Sequence, residues 1–254
     1  MLLDEFRHLY ISLPWVILAI AVFITLFFVT APYGRHINHK PGPSINSGLA
    51  WLLMEAPAPL LFATCFLVGN TPLTITQLIF LGLWESHYID RAFIYPFAIR
   101  KSRKPFPILI VLSGFIFNLI NSYLNGSYIV THNQFYQTAW LKDGRFIVGI
   151  ILFILGFIVN RHADYVLHRI RDSSLENYAI PQNGLYRWVS CPNYLGEIFI
   201  WLGWALATWS PVAAAFALWT IANLAPRAYA HHKWYHQNFE NYPQKRRALL
   251  PGLW

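Results

Sequence analysis

Long apolar runs separated by short polar breaks set the plan of this chain. Ile11 to Ala31 carries no charge and is long enough to cross a bilayer, which takes roughly 20 helical residues. Asp4, Glu5 and Arg7 precede it, the run exceeds the apolar core of a leader, and no small-residue cleavage site follows, so it reads as a span. Pro32-Tyr33-Gly34-Arg35 breaks it, and a loop through Pro41-Gly42-Pro43 leads to a second run, Ser47 to Val68, uncharged except for Glu55. Gly69-Asn70-Thr71-Pro72 predicts a tight turn, and a third span runs to about Tyr88. After the basic loop Arg100 to Pro105, a fourth span starts near Pro107 and fades around Tyr123 into a polar connection containing Asn125-Gly126 and Lys142 to Arg145. Phe146 to Val159 is the fifth, and Ile198 to Trp209 with Val212 to Ala225 form a hairpin around Ser210-Pro211. The pattern predicts an all-α integral membrane protein with seven transmembrane helices in one domain, residues 1–254.

The longest polar run, Asn160 to Glu197, organises the rest. At the helical period Asn160, Asp164, His168 and Arg171 share one face, and Asn193, Glu197, Trp201 and Trp204 share another. A solvated loop between spans is the plain alternative. Both stripes, however, run on into apolar segments, where an unpartnered carboxylate is costly.

Composition agrees. The 254 residues are 56% hydrophobic and 12% charged, about half the charge of a soluble domain. With seven spans, 16 of the 19 Lys and Arg residues fall in loops on one side. The positive-inside rule then places the amino terminus outside and the carboxyl terminus in the cytosol. The formal charge of +8 is explained by these flanks, and no basic run with a recognition motif points to nucleic acid. Cys65 and Cys191, one in an apolar run and one in the polar loop, suggest neither a disulfide framework nor a thiolate metal site.

A carboxylate at Glu55, inside a span, marks a candidate site, with a structural hydrogen bond as its bland counterpart. Trp84, Tyr88, Arg91 and Tyr95 share a face in span three, where Arg91 asks for an anion or a buried partner. Arg227, His231, Tyr235 and Asn238 form a third stripe. Arg, Asn, His and Tyr side chains at the cytosolic ends of the spans suit a large aromatic polyanion such as a nucleotide cofactor. None of the 14 glycines makes a dinucleotide or phosphate-loop fingerprint, so such a cofactor would be held by side chains between helices. His232, His236 and Glu240 stand at i, i+4 and i+8, but one dense histidine cluster falls short of a di-iron set, and no metal is expected. No nucleophile elbow supports a hydrolase.

Several ordered motifs carry a resemblance. They are W-x-x-x-E-x-P at Trp51 to Pro57, H-Y-x-x-R-x-F-x-Y at His87 to Tyr95, N-x-H-x-D-Y-x-L-x-x-x-R at Asn160 to Arg171, I-P-Q-x-G-L at Ile180 to Leu185, N-Y-L-G-E at Asn193 to Glu197, and R-A-x-x-H-H-x-x-Y followed by F-E-x-Y-P-x-x-R-x-A-L-x-P in the tail. Over nearly its whole length the chain resembles the steroid 5α-reductase (3-oxo-5α-steroid 4-dehydrogenase) family. The resemblance implies seven membrane helices, NADPH, and reduction of the Δ4 double bond of a 3-oxo steroid. It implies that Glu55 and Tyr88 bind the ketone, with Trp51 beside the substrate. Tyr33, Arg91, Tyr95, Lys104, Asn160, Asp164, Arg171, Asn193, Arg227, His231 and Tyr235 would serve the cofactor, and Glu197 would border both nicotinamide and substrate. Met54, Ser113, Ala179 and Lys104 depart from the family's pattern, which bears on substrate range more than on the reaction.

The chemistry asks for such a site. An enone accepts hydride at its β carbon when the charge arriving on the ketone oxygen is stabilised, and a dry site makes a hydrogen-bond donor most effective. Tyr88 supplies one, and Glu55 donates too or holds the Tyr88 hydroxyl. The steroid would enter from the bilayer and NADPH from the cytosol, into a monomer of the bacterial inner membrane or endoplasmic reticulum. Two rival readings are an isoprenylcysteine methyltransferase-like enzyme using S-adenosylmethionine, which gives Glu55 and Tyr88 no role, and a sterol-binding membrane protein, which leaves Arg171 and Arg227 idle.

Overall fold

A computed structural model describes residues 2–30, 36, 42–69, 72–98, 105–173 and 179–254, the side chains of 2–12, 98, 105 and 171–173 excepted. The described chain is mostly helical: α1 (Leu2–Phe28), α2 (Ser47–Glu55), α3 (Pro57–Leu67), α4 (Ile75–Ile89), α5 (Tyr95–Ala98), α6 (Ile108–Thr131), α7 (Gly144–Ser173), α8 (Pro192–Thr208) and α9 (Pro211–Asn238). Among the described residues three stretches are long and apolar enough to cross a membrane, Ser47–Leu67, Ile108–Thr131 and Gly144–Ile170, and the apolar part of α1, Leu13–Phe28, is shorter. The contacts divide the chain into two units, Met1–His8 with Pro32–Ile147, and Leu9–Ala31 with Val148–Trp254.

In the first unit, the predicted second span is two helices. Pro57 has no N–H to give the carbonyl one turn back, so the helix interrupts at Ala56 and restarts with proline in its first turn. Helix α4 opens with a reciprocal cap, Thr74 accepting from the Gln77 amide while the Gln77 side chain accepts from Thr74. It runs into a π-helical turn, Asp90–Ile94, before α5. Helix α6 extends eight residues past the expected fade at Tyr123. Asn125 does not end it, because its amide donates to the Asn121 carbonyl at 2.9 Å, and Gly126 packs bare backbone against Cys65 and Phe62 of α3. One ribbon breaks the all-α expectation: β1 (Ser44–Asn46) pairs antiparallel with β2 (Pro105–Pro107), three residues each and too short for a period-2 pattern to show. Ahead of α7, Arg145 donates to both carboxylate oxygens of Asp143 at 2.9 and 2.8 Å and holds that carboxyl down at about 2.

In the second unit, α7 and α8 touch backbone to backbone. Gly149 and Gly156 on α7, and Gly196 and Gly203 on α8, each recur after seven residues. A Cβ at any of them would stand within 2.6 Å of a main-chain nitrogen of the other helix. Glycine is required there by proximity, as in close crossings of membrane helices. Trp209, in a left-handed conformation with φ 47°, ends α8, and the Ser210 hydroxyl, accepting from the Ala213 amide at 3.2 Å, starts α9. Helix α9 continues through Pro226 to Asn238, so the expected seventh span and the Arg227 stripe are one element. The tail then returns to the α7–α8 connection, where its Arg247 carbonyl accepts from Ser190 N at 2.8 Å and its Arg247 N donates to the Trp188 carbonyl at 2.9 Å.

Candidate active site

In the first unit, Glu55 closes α2 half-buried and accepts from Asn118 of α6 at 3.3 Å. The same Asn118 amide nitrogen lies 2.7 Å from the Met54 carbonyl, so one buried side chain ties the end of α2 to α6. Tyr88 is buried at 4% exposure, its ring 4.9 Å from Trp84, which stacks on Phe62 at 4.3 Å and 8°. This wall keeps the phenol in a dry setting, where a hydrogen bond is strongest. Arg91 sits in the π turn with its guanidinium 5.1 Å over Trp51 and 4.5 Å over Tyr95, and those two rings meet edge to face at 5.2 Å. A π turn adds a residue to the helical repeat and re-aims the side chains beyond it, a device frequent at functional sites. Trp51, Arg91 and Tyr95 are thus one cluster, joined by cation–π contact.

The second unit gathers the rest. Asn160 of α7 donates to the main-chain carbonyl of Asn193 at 2.9 Å and to Glu197 Oε2 at 3.0 Å, while Trp201 donates to Glu197 Oε1 at 2.9 Å. Both carboxylate oxygens of a half-buried glutamate are therefore met by neutral donors, which fixes its plane. The close approach of Gly196 to Asn160 is what puts these groups within reach. Asp164, one turn beyond Asn160, is buried. On α9, Arg227 donates from Nε to the Tyr194 hydroxyl at 3.0 Å, and that hydroxyl lies 3.1 Å from His231 Nε2. Tyr235 is buried and stacks on Tyr242 at 5.0 Å and 7°. Tyr33 and Lys104 lie outside the described residues, as does the Arg171 side chain.

Four residues here were not singled out from the sequence. Asn118 joins the expected Glu55 to the Met54 carbonyl, and Tyr194 bridges the expected Arg227 and His231. Arg246 is 4% exposed, lies 5.1 Å over the Tyr242 ring, and has no hydrogen-bond partner for Nε and Nη1 among the described residues. Buried guanidinium donors of this kind are costly until an anion meets them. Ser190 joins His232 Nδ1 at 2.6 Å and the Tyr242 hydroxyl at 2.7 Å. Burial, then the neighbouring His236 and Arg247, pull His232 down to about 4. Burial pushes the Tyr242 phenol above its ordinary value, with hydrogen bonds to Ser190 and Arg246 working the other way. No group of three His, Cys, Asp or Glu side chains gathers as a metal site among the described residues.

The first unit thus holds a half-buried carboxylate and a buried phenol, the second a bonded carboxylate and two buried arginines, Arg227 and Arg246, and comparison with known proteins says to which family such a chain belongs. The model of the family described as 3-oxo-5-alpha-steroid 4-dehydrogenase matches residues 104–254. The chain is 38% identical over 255 residues to a steroid 5-alpha-reductase of Solanum lycopersicum, covering 99% of this chain and 98% of the relative. The chain belongs to the 3-oxo-5-alpha-steroid 4-dehydrogenase family. A steroid 5-alpha-reductase of Gossypium hirsutum is 36% identical over 255 residues, 99% of each chain, and the 3-oxo-5-alpha-steroid 4-dehydrogenase 2 of Homo sapiens 38% over 227 residues, 87% of each. The family is one of oxidoreductases, and its members here match both units. Apolar helices able to span a bilayer fit a membrane enzyme.

Proposed function

We propose that this protein reduces the Δ4 double bond of a 3-oxo steroid to the 5α-reduced 3-oxo steroid with NADPH. The observation that carries the reading is full-length likeness to proteins named for this reaction. The residues present fit an anionic, aromatic cofactor: Arg227 held through Tyr194, the uncommitted donors of buried Arg246, and the rings around Tyr235. In this reading Tyr33, Arg91, Tyr95, Lys104, Asn160, Asp164, Arg171, Asn193, Arg227, His231 and Tyr235 hold NADPH, to which we add Arg246. The cofactor supplies a hydride when bound. Tyr88 donates a hydrogen bond to the steroid's ketone oxygen, Glu55 donates to it or orients the Tyr88 hydroxyl, Trp51 flanks the substrate, and Glu197, fixed by Asn160 and Trp201, borders nicotinamide and steroid. The aromatic wall of Trp84 and Phe62 excludes water from Tyr88, which raises the worth of its hydrogen bond.

The same proposal has seven spans in a single-domain monomer, the amino terminus outside and the cofactor side facing the cytosol, with the steroid arriving through the lipid of a bacterial inner membrane or endoplasmic reticulum. The test is turnover of progesterone or testosterone in membranes with NADPH. Removing one oxyanion donor lowers turnover by about 10²–10³, so Tyr88→Phe, which deletes only the hydroxyl, should fall in that range. Glu55→Gln should be similarly impaired and the double variant little worse, because groups acting on one oxygen are not additive. Wild-type turnover by Tyr88→Phe would remove the residue from the mechanism.

A further inference from the structure

The outward face of α7 has a gradient of character that the reductase chemistry does not use. Ile151, Ile154, Leu155 and Ile158 are exposed, and at 100° per residue they lie together on the side of the helix roughly opposite Asn160 and Asp164. Continuing up the same stripe come His162, Tyr165 and Arg169, all exposed, with Arg169 5.8 Å over the Tyr165 ring. Apolar, then aromatic, then cationic is the order of a membrane from core to headgroup. Between Arg145 and Arg161 the helix carries no charge, about 24 Å at 1.5 Å per residue, close to the ~30 Å hydrocarbon thickness.

Where the stripe turns polar, the structure forms a cavity of about 360 Å³ lined by Ile158, Val159, His162, Leu185, Arg187 and Trp188 among others. Its outer wall, residues 184–190, is built rather than loose. Tyr186 is buried against Ala163 and Val166 of α7, its hydroxyl 3.4 Å from the Ala163 carbonyl, which leaves Arg187 and Trp188 on the outside. Gly184, at φ +60°, lies against His162, where a Cβ would run into the ring. The tail fixes the far end, Arg247 N bonding Trp188 O. Arg187 has no ion-pair or hydrogen-bond partner among the described residues.

We propose that this cavity binds the headgroup of an anionic membrane phospholipid, with Arg187 and His162 on the phosphate, Trp188 at the glycerol level and an acyl chain along Ile158, Ile154 and Ile151. Charge complementarity selects the occupant: a fixed cation at the mouth of a groove whose floor continues the lipid-facing stripe. The volume is that of a small-ligand site, enough for the headgroup and first methylenes while the rest of the chain stays in the bilayer. Basic pockets at the ends of membrane helices take phospholipid heads in this way. The inference rests on the membrane reading and not on the steroid reaction, so either can fail alone.

The experiment is native mass spectrometry of the full chain from nanodiscs of phosphatidylcholine doped with phosphatidylglycerol. The wild type should retain phosphatidylglycerol in preference. At about 1 kcal/mol per basic residue near an anionic surface, Arg187→Ala should lower that preference about fivefold and Arg187→Glu about 25-fold, while Lys245→Glu, an exposed charge of the tail, should leave it unchanged. A diazirine-bearing phosphatidylglycerol on the unmodified protein should label the peptide containing residues 184–192. Equal loss in Arg187→Glu and Lys245→Glu would mean a diffuse field and no site, and labelling elsewhere would overturn the placement. Soluble glycerol phosphate should not compete. If it does, the site takes a free phosphate and the lipid assignment is wrong.

Discussion

Gly196→Ala adds one methyl group at the α7–α8 crossing, where its Cβ would lie 2.5 Å from Asn160 N, 2.7 Å from Gly156 O and 2.9 Å from Asn160 Cα. All three are main-chain atoms, so no side chain can swing aside and the helices must part. Overpacking of this kind costs about 1–3 kcal/mol. Parting also strains the Asn160 bonds to Asn193 O and Glu197, at 2.9 and 3.0 Å, each with a net worth of about 0.5–1.5 kcal/mol. Alanine returns about 0.5–1 kcal/mol of helix propensity, leaving a loss near 3 kcal/mol. At about 2–4 °C per kcal/mol the melting temperature should fall by about 6–12 °C. Gly82→Ala is the internal control, since nothing lies within 4 Å of a Cβ there, and it should melt at or above the wild-type temperature. Thermal unfolding of the purified proteins in one detergent reads both. A Gly196→Ala melt within about 2 °C of wild type, with the NADPH Michaelis constant unchanged, would refute the crossing as the element that positions Asn160 and Glu197.

Tyr194→Phe removes the hydroxyl shared by Arg227 Nε and His231 Nε2. Loss of one net hydrogen bond of about 0.5–1.5 kcal/mol should raise the NADPH Michaelis constant about 2- to 13-fold with turnover on saturating cofactor largely kept, and an unchanged constant would detach Tyr194 from the cofactor. Asn118→Ala leaves Glu55 and the Met54 carbonyl without this partner and should lower turnover more than NADPH affinity; a change confined to NADPH would contradict the placement of Glu55 beside the steroid. His232 is held near 4, below its ordinary 6.5, so the unfolded chain takes up a proton that the folded one resists. Stability should be fully present above about pH 6.5 and decline as pH falls towards about 4, and His232→Gln should flatten that stretch of the profile.

The stripes were readable because α7 and α8 keep a regular 3.6-residue repeat through both polar and apolar segments, so Asn160 with Asp164, and Glu197 with Trp201, fall on one face from spacing alone. The glycines of the α7–α8 crossing stand in plain view at seven-residue intervals, yet nothing in a single chain says whether a small residue meets a backbone or open lipid; Gly82 and Gly196 look alike in sequence. Asn118 escaped notice because an asparagine inside an apolar run reads as a weakening span, and only the partner helix reveals the Glu55 it serves. The π turn at Asp90–Ile94 has no residue signature, so the Arg91 cluster with Trp51 and Tyr95 could be assigned to a face but not to its partners. Arg246 sat in a tail motif without a role, since burial of its guanidinium depends on the tail folding back onto the loop ahead of α8.

Isotope transfer follows the proposed hydride from cofactor to steroid. The wild-type protein in membranes is given progesterone with NADPH carrying deuterium at the transferring C4 position, and the product is read by mass spectrometry and NMR. The expected product is a 5α-reduced 3-oxo steroid with deuterium at C5, and, when the label is in the solvent instead, deuterium at C4. Reduction at the ketone, label arriving at C5 from solvent, or no turnover of progesterone or testosterone would contradict it.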